Sequence, residues 1–139
     1  MTYALAGHLQ TALFTALTSH VPLTDAVGTA IYDAPPTGLR PELYVALGPE
    51  QVRDRSDGTG NGALHDVTIS VISDLSGFKR AKDVAAVISD LLHDADLTLE
   101  RGALVYLNFT RARAVRVRQG ATRRIDMTFR ARVCDATPV

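Results

Sequence analysis

The densest run of chemically active side chains is RARAVRVRQGATRR, residues 111–124. It carries six arginines in fourteen positions: Arg111, Arg113, Arg116, Arg118, Arg123 and Arg124. Arginine's planar fork binds phosphates and carboxylates equally well. The run can therefore hold nucleic acid, hold an acidic protein surface, or lie solvated on an exposed strand. Other chemistry is sparse. The four histidines, His8, His20, His65 and His93, are scattered, and none has a second histidine or a cysteine at metal-ligand spacing. His65 and Asp66 are neighbours on a predicted strand, so their side chains point to opposite faces and make a poor dyad. Cys134 has no evident base partner. Asp90, Asp94 and Asp96 flank a predicted helix end, and their spacing singles out no acid/base pair. Neither a nucleophile elbow nor a dinucleotide fingerprint is present. The expectation is no catalytic residue, no metal site and no cofactor.

The charge distribution narrows what the arginines meet. The formal net charge is zero, with 46% hydrophobic and 22% charged residues, as in ordinary globular proteins. Residues 1–100 carry six Lys/Arg against thirteen Asp/Glu, a net of −7; residues 101–139 carry nine Arg against two Asp, a net of +7. Such a split predicts a basic face that meets something acidic. Nucleic acid is one such partner, and the acidic part of a second copy is another. Binders of nucleic acid usually add stacking aromatics. Only Tyr106, Phe109 and Phe129 lie near the arginines, and Phe129 falls on a predicted core face.

The elements that position the arginines follow from periodicity. Leu5, Leu9, Leu13 and Leu17 recur every fourth residue, which predicts a helix from Tyr3 to about Ser19 with Thr2 as N-cap. On its wheel Tyr3 and Phe14 fall opposite the leucines, so they are covered by loops or form a second subunit contact. Residues 23–41 read as an irregular connection with one helical turn capped by Thr24 or Asp25. Residues 43–48 start a strand running toward Arg55, and SDGTGNG (56–62) reads as a flexible hairpin loop. Residues 63–74 alternate apolar and polar as a half-buried strand. Residues 78–92 form the clearest amphipathic helix. Residues 102–133 make two long strands joined by a turn at Gln119–Thr122. Arg111 and Arg113 share one parity and Arg116 and Arg118 the other, so a bulge near Ala114–Val115 is expected to bring both pairs to one face. The prediction is an α+β fold of one domain, 1–139: a mostly antiparallel sheet of about four strands with two main helices packed on it, ordered α-β-β-α-β-β. The N-terminus lacks the pattern of a secretory leader, and no apolar run is long enough to span a bilayer.

The segment IYDAPPTGLRPELYVALG (31–48) carries a resemblance. Tyr32-Asp33, Pro35-Pro36, Pro41 and Tyr44-Val45-Ala46-Leu47-Gly48 are similar to the segment that follows the first helix in the tail terminator, or tail-completion, proteins of long-tailed phages and gene transfer agents. The strand Val67–Ser73, the glycine-led helix Gly77–Leu92, the turn Gln119-Gly120-Ala121-Thr122-Arg123 and the ending Phe129-Arg130-Ala131 continue the likeness in order. Two departures stand out: Glu42-Leu43 precede the tyrosine, and Gln119 replaces an acidic turn residue. The resemblance implies a structural protein that forms a hexameric ring on the head-proximal end of the tail tube, stops tube polymerisation and meets the head connector. It implies as partners further copies of itself, the tail tube protein, the connector protein, and DNA passing without sequence specificity, with no membrane. It also implies assembly in the bacterial cytoplasm and residence in a phage-like tail. The six arginines would then contact neighbouring subunits or the tube, with DNA second. Two alternatives stay open at this point: a stand-alone nucleic-acid-binding domain, and a small enzyme using scattered carboxylates.

Overall fold

A computed structural model describes residues 2–56 and 61–135. The elements run α1 (Ala6–Ser19), α2 (Val21–Val27), β1 (Ile31–Tyr32), β2 (Leu43–Asp54), β3 (Gly62–Ser73), α3 (Lys79–Leu92), β4 (Ala103–Val117) and β5 (Thr122–Cys134). Five strands form one sheet ordered β1-β2-β3-β5-β4, antiparallel except for the parallel β1–β2 pair. Residues 57–60 of the expected glycine loop lie outside the described residues.

The core lies between one sheet face and the helices. Leu9, Leu13 and Leu17 of α1 and Val84, Ile88 and Leu92 of α3 are buried at 2% exposure or less. They belong to one apolar cluster with Val45, Ile69, Met127 and Phe129 of the sheet. The period-2 alternation of β3 and β5 places these sheet residues on the helix-covered face. Phe129 is fully buried, its ring 5.2 Å from that of Phe109 on β4. Among the described residues the opposite sheet face is largely open and carries a small apolar cluster of Ala30, Tyr44 and Ala46 at the β1–β2 end, touched by Val27 at the end of α2.

The predicted class holds, with four local differences. The first helix begins at Ala6 instead of Tyr3, with Leu5 at the cap and no side-chain cap bond. Pro22 opens α2, a seven-residue helix with fully buried Leu23 that stops at Gly28, φ 62°. Residues 31–32 form a short parallel strand, its backbone continued by a Val45 N–H donating to Ala30 O at 2.9 Å. The fourth difference concerns bulges. β2 shifts register between Leu47 and Glu50, around Gly48-Pro49. β4 shifts at Val105 and Thr110, between Leu104/Tyr106 and Phe109/Arg111, and keeps regular pairing through Ala114–Val115.

Candidate functional site

Register decides where each arginine points. Thr110 is the extra residue of a bulge on β4, its hydroxyl donating to Thr128 O at 3.0 Å. Beyond it Arg111 pairs with Thr128, Arg113 with Asp126 and Arg116 with Arg123. Directly opposed residues share a face. Arg111 and Arg113 therefore lie on the open face with Asp126 and Thr128, while Arg116 lies on the helix side with Arg123. The expected bulge at Ala114–Val115 is thus corrected. Regular pairing there keeps the two arginine pairs apart, because nothing on the helix side forces a parity change.

The six arginines differ in how they are held. Arg123 donates from Nη1 to Leu75 O at 3.0 Å and lies 5.8 Å from the Phe78 ring, a structural brace between β5 and the start of α3. Arg124 donates from Nε to Asp126 Oδ1 at 2.7 Å, and Ser70 Oγ donates to the same oxygen at 2.6 Å. By contrast Arg111, Arg113, Arg116 and Arg118 are exposed and have no hydrogen-bond or ion-pair partner among the described residues. Arg118 belongs to the connecting turn, where Arg118, Gln119 and Gly120 all have positive φ (52°, 58° and 88°). Gly120 N–H and Ala121 N–H close this turn onto Val117 O and Arg118 O.

The distal half of β4 is bare on both sides. Ala112 and Ala114 face the helix side, yet both are exposed, because the helix layer stops short of them. β4 is also the outermost strand, so among the described residues one backbone edge of this 15-residue element has no strand neighbour. Such an edge presents unpaired N–H and C=O groups.

The open face is a polar network that sequence reasoning missed. Asp66 accepts a forked pair from Arg130 (Nε 2.9 Å, Nη2 3.4 Å) and lies 3.8 Å from Arg53 Nη2. The hydrogen bond from Arg130 comes first in raising that guanidinium's pKa. Asp66 and Asp126 are acids on the polar parity of β3 and β5, and that parity was the signal that could have revealed them. Further along this face a concavity of about 730 Å³ lies between the 35–40 loop and the hairpin, with Tyr44, Ile72, Val117 and Arg124 among its walls.

The two aromatics of the second expected contact, Tyr3 and Phe14, sit in different local settings. Tyr3 precedes α1, so the helical wheel does not apply to it. Its ring is 62% exposed, yet its hydroxyl donates to Glu50 Oε1 at 2.6 Å. That bond, with the carboxylate's charge, holds the phenol pKa above 10.0. Glu50 also meets the fully buried His65, Nδ1 to Oε2 at 3.3 Å, while His65 and Tyr3 stack at 6.4 Å. Phe14 is partly buried against the core. The Gly48-Pro49 bulge brings Glu50 opposite Val67, and sequence alone gave no sign of it. His65 and Asp66 do point to opposite faces, as their adjacency required. Among the described residues no group of three or more His, Cys, Asp or Glu is placed to hold a metal ion. No helix is long and apolar enough to cross a membrane.

Comparison with known proteins places this geometry. No curated protein matches the chain. Among solved structures, a chain of the structure described as "Virion of native gene transfer agent (GTA) particle" is 54% identical. The match covers 96% of this chain and 99% of that one, with a TM-score of 0.91. A family model described as "Tail completion protein gp17" matches residues 11–134. The chain therefore belongs to the tail completion protein gp17 family, structural proteins of phage and gene transfer agent tails.

Proposed function

We propose that the protein is a tail terminator: a closed hexameric ring that caps the tail tube of a phage-like particle, ends tube polymerisation and joins the tube to the head connector. The observation that carries this reading is the 54% identity, nearly end to end, with a chain of a gene transfer agent virion. The structure supports it by offering what an assembly part needs. Among the described residues there is a long edge strand with one side unpaired and four arginines without partners, and charge is separated along the sequence. The work done is mechanical and involves no bond chemistry. Assembly takes place in the bacterial cytoplasm, and the ring then belongs to the particle.

In this reading the arginines divide their labour. Arg116 and Arg118, at the end of the hairpin, serve protein contacts. Arg111 and Arg113, on the polar open face, are the ones a passing DNA backbone would meet. They are too few for a tight hold, since affinity for phosphate grows with each contact neutralised. The test is to add purified protein to polymerising tail tubes and measure tube length by electron microscopy, with light scattering on the protein alone. A terminator shortens tubes at sub-stoichiometric ratios and decorates one end only. Unchanged tube lengths with no end-bound ring would refute it. Strong salt-sensitive duplex binding in place of capping would favour the nucleic-acid-binding alternative.

A further inference from the structure

Along α3 and the hairpin the charge has a direction. At one end of the sheet stand the hairpin tip, with Arg116 and Arg118, and the first turn of α3, with Lys79, Arg80 and Lys82. Asp83 is the acid on that turn, and Lys79 Nζ neutralises it at 2.8 Å. At the other end α3 finishes with Asp90 and no basic residue in its last turn, followed by Asp94, Asp96 and Glu100. The helix dipole runs the same way, positive at its N-terminus and negative at its C-terminus. Basic side chains at that end of the sheet are Arg101, engaged by Asp135 at 2.7 Å, and Arg53, Arg55 and Arg132, none of which lines the groove between α1 and the segment before β4.

The acidic end has a shape as well as a sign. A groove of about 350 Å³ lies between α1 and the segment before β4, walled by Ala12, Ala16 and Leu97, with Asp96 and Glu100 on its rim. Its other titratable group is His8, 3.8 Å from Glu100. The groove lies at the hairpin's base, because Glu100 leads directly into β4. The tip is fifteen residues away along that strand, about 50 Å at 3.3 Å per residue. A chain cannot bring its own tip to its own groove. A neighbour can, and the same operation repeated is head-to-tail by construction.

Resting on the ring reading above, we propose that the bare end of the hairpin of one copy docks on the acidic groove of the next, Arg116 and Arg118 against Asp96 and Glu100. The occupant of the unpartnered tip is thus a second copy. The tip fits a groove because both its faces are uncovered and its inward residues, Ala112 and Ala114, are small. Opposite signs set the order of copies and speed their encounter.

The test is charge exchange, read by light scattering on size exclusion over a range of concentrations, with and without tail tubes. The variants are Arg116→Glu with Arg118→Glu, and Asp96→Arg with Glu100→Arg. All four positions are exposed, so both variants keep the wild-type melting curve. Alone, each assembles only at roughly tenfold higher concentration or more. Mixed one to one, acidic tips meet basic grooves and the remaining basic tips meet acidic grooves. A hexamer closes by alternation, so assembly returns to within about threefold of wild type. Wild type that forms rings while both variants do so equally well would overturn the seat and leave the ring reading standing. Loss in the tip variant alone, or a mixture that stays apart, would overturn it too, by placing the tip on some other surface. Wild type that stays monomeric even with tube ends present would overturn the ring reading and the seat together.

Discussion

Replacing Gly102 with alanine should cost far more than replacing Gly120, although both glycines have positive φ, 69° and 88°. A left-handed backbone costs an ordinary residue about 1–2 kcal/mol. At Gly120 that is the whole penalty, since an added Cβ meets nothing within 4 Å. At Gly102 the Cβ would lie 2.6 Å from Cys134 O and 2.9 Å from Leu5 Cδ1. Leu5 can change rotamer only by leaving a site where it is fully buried. The Cys134 carbonyl is fixed by the β4–β5 ladder, in which Ala103 pairs with Cys134. Forcing that contact adds about 1–3 kcal/mol by analogy with overpacked cores, for a total near 2–5 kcal/mol. Urea unfolding followed by circular dichroism reads both variants, provided the slopes match wild type. The expected losses are about 1–2 kcal/mol for Gly120→Ala and at least about 1 kcal/mol more for Gly102→Ala. Equal losses would show that the N-terminal segment does not press on the hairpin base, and would undo the packing of Leu5 over Gly102.

Two further predictions address the core and the acid limb. Phe129→Ala should lose about 3–5 kcal/mol in the same urea experiment, because a fully buried ring in contact with Phe109 leaves a cavity; a loss under about 1 kcal/mol would place Phe129 outside the core. Asp135 is held below its ordinary pKa of 3.8, first by its hydrogen bonds from Arg101 at 2.9 and 2.7 Å. A depressed carboxyl stabilises the fold above the unfolded value, and that contribution disappears as pH falls through the folded one. Asp135→Asn should therefore be less stable than wild type at neutral pH, with the gap closing as the pH falls below 3.8 and through the folded carboxyl's depressed pKa. A gap that persists through pH 2 in thermal melts would refute the assignment.

How much of this was legible depends on how far each feature repeats. The alternation of β3 and β5 and the eight apolar positions of α3 span many residues, and each agreed with the structure to within a residue or two. β1 is two residues long and has no periodicity to read; its pairing with β2 comes from tertiary packing. α2 carries the sequence signal of a single turn, yet Pro22 occupies a first-turn position where its missing N–H costs nothing. Bulges are the least visible. One residue at Thr110 fixes which side of the sheet each arginine takes, and Gly48-Pro49 brings Glu50 toward His65, yet neither interrupts the hydrophobic pattern. The arginines were therefore found by type and misplaced by orientation. Parity already placed Asp66 and Asp126 on the polar faces of their strands; that Arg130 and Arg124 engage them depends on cross-strand register and rotamer, which sequence does not give.

The arginines of β4 also determine which encounters fail. Two identical outer strands meeting antiparallel would form a twofold dimer and satisfy every free amide at once, an end state with no place left for a third molecule. In the register centred on Ala112, Arg111 of each copy would lie across from Arg113 of the other, and directly opposed like charges destabilise a strand pair. The repulsion closes off the symmetric route while leaving unlike ends free to meet. A copy that avoids that pairing keeps its open edge for an unlike surface.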